Sequence, residues 1–317
     1  MPGFLTHYVF GQELLNQLPD ISVKKIIQEN PNSYALGLQG PDLFFYYFPT
    51  LLKGNTHKLG NRMHKEKTHD FLMKALDYVK NSRDSERDII ISYIGGFFCH
   101  YTLDTNCHPY IYAKSNHKQY EKDVLRHFAY HSHLETIVDT HIYHHYTNQL
   151  PSSMAASSTI SLSSKEQDVI ANFLCNVLNS VYFNNKYVIN CQFIIRAMKS
   201  FSFELSLLYD PHGYKKKICS WIDKKILGYP LLSCMIPSDH ISQTTDYLNT
   251  KHRYWWSPWD DSSHTDSFYD LFEKALYKCN VYLILLDQVD HDPCFSKLDH
   301  MIENLSYSTG NLIVETE

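Results

Sequence analysis

His100, Asp104 and His108 recur every four residues in FCHYTLDTNCHPY, residues 98–110. Residues four apart on a helix stack one turn above each other, so the three share a face. Imidazole nitrogen and carboxylate oxygen are donors that zinc accepts, and a helix presents them already ordered. The competing reading is an Asp–His pair that merely caps a buried helix. The pair sits late in an apolar run, where a solvated surface is hard to build, and this favours metal. Pro109 is expected to end the helix just after His108.

A second i, i+4 pair lies in HSHLETIVD, where His131 precedes Glu135. His127 and Asp139 extend it to a four-residue stripe on one helix face. Most such stripes are exposed polar faces, and spacing alone leaves that reading open. Three single residues join the candidates. His7 lies on the apolar side of THYVFGQELL, and His64 ends LGNRMH. Asp42 follows Gly-Pro inside an aromatic run, where a carboxylate is costly to bury without a cation. Taken singly, each is more often structural than a ligand.

The elements that must carry these residues are helical almost throughout. Residues 65–82 place Phe71, Leu72, Ala75, Leu76 and Val79 at helical spacing. Residues 87–106 form a nearly apolar run too long for one strand, which predicts a central buried helix. Gly95 and Gly96 weaken that helix, so close packing or a nearby metal must compensate. Residues 120–147 and 266–289 predict two further long helices. The Ser-rich stretch 150–167 reads as a loop into a helix capped by Ser163 or Ser164. No internal repeat is present. The expected architecture is all-α: a single multi-helix domain over 1–317, with a metal-site half at 1–147 and a helical part at 163–317.

Composition narrows the functional classes. The chain has 317 residues, a formal charge of −5 and no Lys/Arg run suited to a phosphate backbone, which argues against nucleic acid. Of its 19 histidines, 12 fall between His57 and His145, a concentration that points to metal. No stretch reaches the ~18 apolar residues of a membrane span. The eight cysteines form no CxxC pair, and no leader pattern precedes them. They read as reduced thiols in a cytoplasmic protein.

MPGFLTHYVFG, LGLQGPDLFFYY, LGNRMH, GFFCHYTLDTNCHPY, HSHLETIVD and a late stretch from Trp256 through SFYDLFEKA occur in that order. In this the sequence resembles the zinc-dependent phospholipase C family, closest to its small intracellular bacterial branch. The motifs are dense over residues 1–140 and looser out to about 275. The resemblance implies an all-helical fold of the type shared with P1 nuclease, holding two or three zinc ions. It implies that Asp42, His64, His100 and Asp104 hold one ion and that His108, His131 and Glu135 hold a second. His7 and Asp104 would hold the third, with Asp104 bridging. Secreted relatives give that third ion their processed N-terminal amine. Here, removal of Met1 would leave the amine of Pro2 for that role.

The implied reaction is hydrolysis of a phosphodiester, with a phospholipid as the leading substrate and metal-activated water as nucleophile. Asp42 or Glu135 would accept the proton, and spacing does not choose between them. Two aromatic groups are candidates for a lipid lip or choline contact. One is Leu43 to Phe48, the other Tyr254, Trp255, Trp256 and Trp259. Core packing is the rival reading for at least half of them. Two other classes stay open: an S1/P1-type single-strand nuclease, and a metal-stabilised helical binding protein without turnover.

Overall fold

The computed structural model describes residues 3–45, 56–183, 188–242 and 244–314. Among them are 13 α-helices and one two-stranded antiparallel sheet, Trp255–Trp256 against Ser263–His264. The protein is all-α.

The first helices are α1 (Phe4–Gln17), α2 (Ser22–Glu29) and α3 (Pro31–Gly37), followed by a 3-10 turn at Gly40–Phe44. Next come α4 (Thr56–Lys65), α5 (Thr68–Lys80), α6 (Asp84–Lys114), α7 (His117–Tyr120) and α8 (Val124–Thr147). The second half adds α9 (Ser164–Tyr182), α10 (Cys191–Leu208), α11 (Tyr214–Ile222), α12 (Phe268–Leu286) and α13 (Asp292–Met301). One continuous cluster of buried apolar side chains runs from Leu5 in α1 to Tyr307 beyond α13.

Helix α6 is the axle. Residues 89–105 are buried on every side, as expected of a helix apolar all round. It packs chiefly against α3 and α12 and also touches α1, α2, α5, α8 and α9. The glycine cost is repaid by a backbone crossing. A Cβ on Gly96 would lie 2.2 Å from the Tyr34 carbonyl oxygen, and one on Gly37 would lie 2.0 Å from that of Tyr93. Only glycine lets α3 and α6 approach this closely.

Two sequence expectations are corrected. Pro109 does not end the helix, which continues to Lys114. A mid-helix proline costs about 3 kcal/mol. The turn after it buries Tyr110 and Ile111 completely, and burying each side chain is worth roughly 1.5–3 kcal/mol. The Tyr110 hydroxyl also donates to the Tyr247 carbonyl at 2.6 Å. The stretch 150–167 is also less irregular than expected, holding 3-10 turns at Pro151–Ser153 and Ala156–Ile160. Of the two candidate caps, Ser163 is the one used, in a capping box with Glu166.

Candidate metal centre

Four elements converge on a buried centre. Helix α1 brings His7, the 3-10 turn Asp42, the last turn of α4 His64, and α6 His100 and Asp104. All five side chains are buried. Asp139 of α8 sets the position of α1, accepting from the amides of Leu5 (3.1 Å) and Thr6 (2.8 Å) and from the Thr6 hydroxyl (2.6 Å). Gly40 (φ +48°) makes room for His100, since a Cβ there would sit 2.4 Å from its Cδ2.

His64 Nε2 lies 3.1 Å from Asp42 Oδ1, and His100 Nε2 is 3.2 Å from Asp104 Oδ2. His7 Nε2 is 3.3 Å from Asp104 Oδ1, so the two oxygens of Asp104 face different histidines. The rings of His7 and His100 stack 4.3 Å apart. Yet His7 Nδ1 and Nε2, His100 Nε2, Asp42 Oδ1 and both oxygens of Asp104 make no hydrogen bond. The groups are close, but their directions miss one another. Leaving that many polar atoms buried and unpaired is expensive, and a cation would satisfy them together. Ligand atoms on a tetrahedral zinc stand roughly 3.4 Å apart, which matches these separations.

The far side of two rings completes the argument. His64 Nδ1 is 2.7 Å from the Gly60 carbonyl, and His100 Nδ1 is 3.1 Å from that of Leu38. A carbonyl can only accept, so each Nδ1 carries a proton and each Nε2 is the nitrogen turned inward. Protonation follows the crowding. Burial works against charge on Asp104, but His100 and His7 prevail and hold its carboxyl well below the usual range. Burial opposes charge on His100 too, yet Asp104 and Asp42 pull it upward. His7 is pushed down by burial and by His100.

A second cluster lies further along α6. His108 Nε2 is 3.2 Å from His131 Nε2 and 3.8 Å from Glu135 Oε1, while His131 Nε2 is 2.8 Å from that oxygen. His108 Nδ1 is fixed by the Tyr307 carbonyl at 2.9 Å, and burial pushes its basicity far down, leaving a neutral imidazole. His131 and Glu135 share one edge of α8. The rest of the stripe does other work: His127 Nε2 meets His117 Nδ1 at 2.6 Å, and Asp139 caps α1.

Within these two regions, three groups bring ligand atoms to within 4.8 Å of one another: His7, Asp42, His100; His64, His100, Asp104; and His108, His131, Glu135. Every residue expected from the sequence is thus in one of them. Pro2 and the aromatics Tyr46, Tyr47 and Phe48 lie outside the described residues. Leu43 and Phe44 are core, and Phe45 packs on His64 with ring centroids 5.0 Å apart. Trp255 is buried, Tyr254 and Trp256 are exposed, and Trp259 packs on His117 and Tyr112 beside the second cluster.

Sequence reasoning missed the segment around Tyr307. Besides holding His108, Tyr307 donates its amide to the His64 carbonyl at 3.0 Å, and its ring packs on His64 and His100. Backbone carbonyls carry no residue signature, so no motif could have flagged it. Also unforeseen was a cavity of about 530 Å³ that reaches Glu135, walled by Phe4, Asp139, Leu208, Lys216 and Met235.

Fold and clusters together define an all-helical protein with centres able to hold metal. A family model described as zinc dependent phospholipase C matches residues 6–184, and the chain belongs to that family. No curated protein and no solved structure matches the chain significantly. No helix among the described residues is long and apolar enough to cross a membrane.

Proposed function

We propose that the chain is a zinc-dependent phosphodiester hydrolase acting on phospholipids in the manner of a phospholipase C. The observation that carries this reading is the buried convergence of His7, Asp42, His100 and Asp104, whose facing nitrogens and oxygens make no hydrogen bond to one another. Asp42, His64, His100 and Asp104 would hold one ion, and His108, His131 and Glu135 a second. His7 would add its imidazole on the far side of Asp104. Bound zinc supplies Lewis acidity, lowering the pKa of water and neutralising phosphoryl charge.

The protein's own groups divide the remaining tasks. The Gly60, Leu38 and Tyr307 carbonyls each hold the Nδ1 side of an imidazole and so aim its Nε2 inward. Asp42 is enclosed, whereas Glu135 reaches the cavity, so Glu135 is the carboxylate placed to take a proton from water and pass it outward. The cavity's mixed wall, apolar at Phe4, Leu208 and Met235, suits a molecule with a polar head and apolar tails.

Metal analysis with a panel of phosphodiesters tests the reading. Chelator-sensitive hydrolysis of phospholipid, insensitive to serine-directed reagents, is expected. Faster cutting of single-stranded DNA would move the protein to the nuclease class. Zinc without turnover on either class would leave a binding protein.

A further inference from the structure

Beyond the family-matched region, the segment YKKKICSWIDKKIL, residues 214–227, forms α11 and a π turn, Asp223–Leu227. None of the side chains of α11 itself is buried. Tyr214, Ile218 and Trp221 follow i, i+4, i+7 spacing and are 69%, 61% and 60% exposed, and Ile226 is 72% exposed. Ile226, in the π turn that follows, adds a further exposed apolar side chain to the segment. Leu207, also exposed near the end of α10, is tied to this segment through its carbonyl, which accepts from Lys215 Nζ at 2.9 Å.

Charge distinguishes this face from the rest of an acidic chain. Residues 214–227 contain five lysines, four of them exposed: Lys215, Lys217, Lys224 and Lys225. The single acid, Asp223, is buried and occupied by the amides of Leu232 (2.8 Å) and Ser233 (2.9 Å). An exposed Trp/Ile/Tyr stripe flanked by lysines is the composition of a helix lying in a lipid interface. A second copy of the chain fits worse, since a two-fold contact would set these lysines against themselves.

We infer that the 214–227 face docks on the surface of an anionic phospholipid bilayer. Its position gives the docking a purpose. Gly213, Lys216 and Lys217 wall the same cavity that reaches Glu135, so the bilayer surface would meet the mouth of that cavity. The inference rests on the phospholipid reading for this purpose alone. The binding itself is independent of turnover.

The zinc-loaded full chain is tested by cosedimentation with vesicles of phosphatidylcholine alone and of phosphatidylcholine mixed with phosphatidylserine. Binding to the mixed vesicles at least tenfold stronger than to the neutral ones, and weakened by salt, is expected. W221A/I226S should lose about tenfold or more of that binding, and K224E/K225E likewise, each with unchanged melting temperature and zinc content. Because the second variant alters only exposed charges, it keeps the test valid if the first misfolds. Equal binding by the wild type and both variants would overturn the inference. So would a concentration-dependent dimer lost in W221A/I226S with no vesicle binding. Vesicle binding without hydrolysis of any phosphodiester would uphold docking and remove the enzymatic reading. Hydrolysis of a soluble phosphodiester without vesicle binding would do the reverse.

Discussion

The Nε2 atoms of His108 and His131 face each other at 3.2 Å, with Glu135 Oε1 2.8 Å from the second of them. His108 gives its Nδ1 proton to the Tyr307 carbonyl, so its inner nitrogen can serve only as an acceptor or a ligand. If this trio is a zinc site, H131A/E135A should release one equivalent of metal. H127A/D139N, altering neighbours on the same stripe, should retain it with at most a 10–100-fold weaker affinity. Chelator competition with metal analysis distinguishes the two. Equal losses would place the site on the wrong turn of α8.

The double variant H100A/D104A should empty the buried centre and lower the melting temperature. Added zinc should then stabilise it far less than it stabilises the wild type, since metal affinity is part of folding free energy. Thermal melts with and without zinc read this directly. Full zinc occupancy in the variant would refute the ligand assignment.

Glu135→Gln and Asp42→Asn separate proton transfer from metal retention. Glu135→Gln is expected to lower turnover on phospholipid about 100-fold or more, a larger loss than that of the metal it helps to hold. Asp42→Asn should lower zinc content and turnover together. The opposite pattern would make Asp42 the proton acceptor.

Asp139 provides a pH signature. Burial raises its carboxyl to about 7 despite the three hydrogen bonds it accepts from α1. Between the ordinary Asp value and about 7, the folded protein binds a proton that the unfolded chain does not. Stability therefore falls as pH rises through that window, by up to about 1.4 kcal/mol per pH unit. In D139N this contribution is absent. The stability difference between the two proteins, measured by denaturant unfolding, should shift in the variant's favour from pH 4 to pH 7. A pH-independent difference would mean that Asp139 is ionised throughout.

Gly96→Ala tests the crossing of α3 and α6. Its Cβ would meet the Tyr34 carbonyl at 2.2 Å, and backbone cannot swing aside as a side chain can. The gain of about 1 kcal/mol in helix propensity should be outweighed, leaving the protein about 2 kcal/mol less stable. Denaturant midpoints report it.

What was readable in the sequence was what repeats along a helix. The His100–Asp104–His108 and His131–Glu135 spacings put each set on one face, and the apolar run around Ile90–Phe98 announced a buried axle. His7, Asp42 and His64 carried no spacing of their own, and only the ordered motifs of the family pointed to them. Pro109 does not end its helix because the burial of Tyr110 and Ile111 beyond it outweighs local propensity. Tyr307 could not be seen at all. It acts through its backbone, 199 residues from the histidine it holds.

That separation has a consequence in time. A ribosome adds roughly 5–20 residues per second, so about 10–40 s pass between synthesis of His108 and synthesis of the carbonyl that orients it. Throughout that interval His108 lacks the carbonyl that fixes its Nδ1 proton and its direction. Loose donors of this kind follow intrinsic affinity, which favours copper over zinc. If these sites take zinc, selectivity for it would be conferred late in synthesis, by the stretch that closes over His64 and His108.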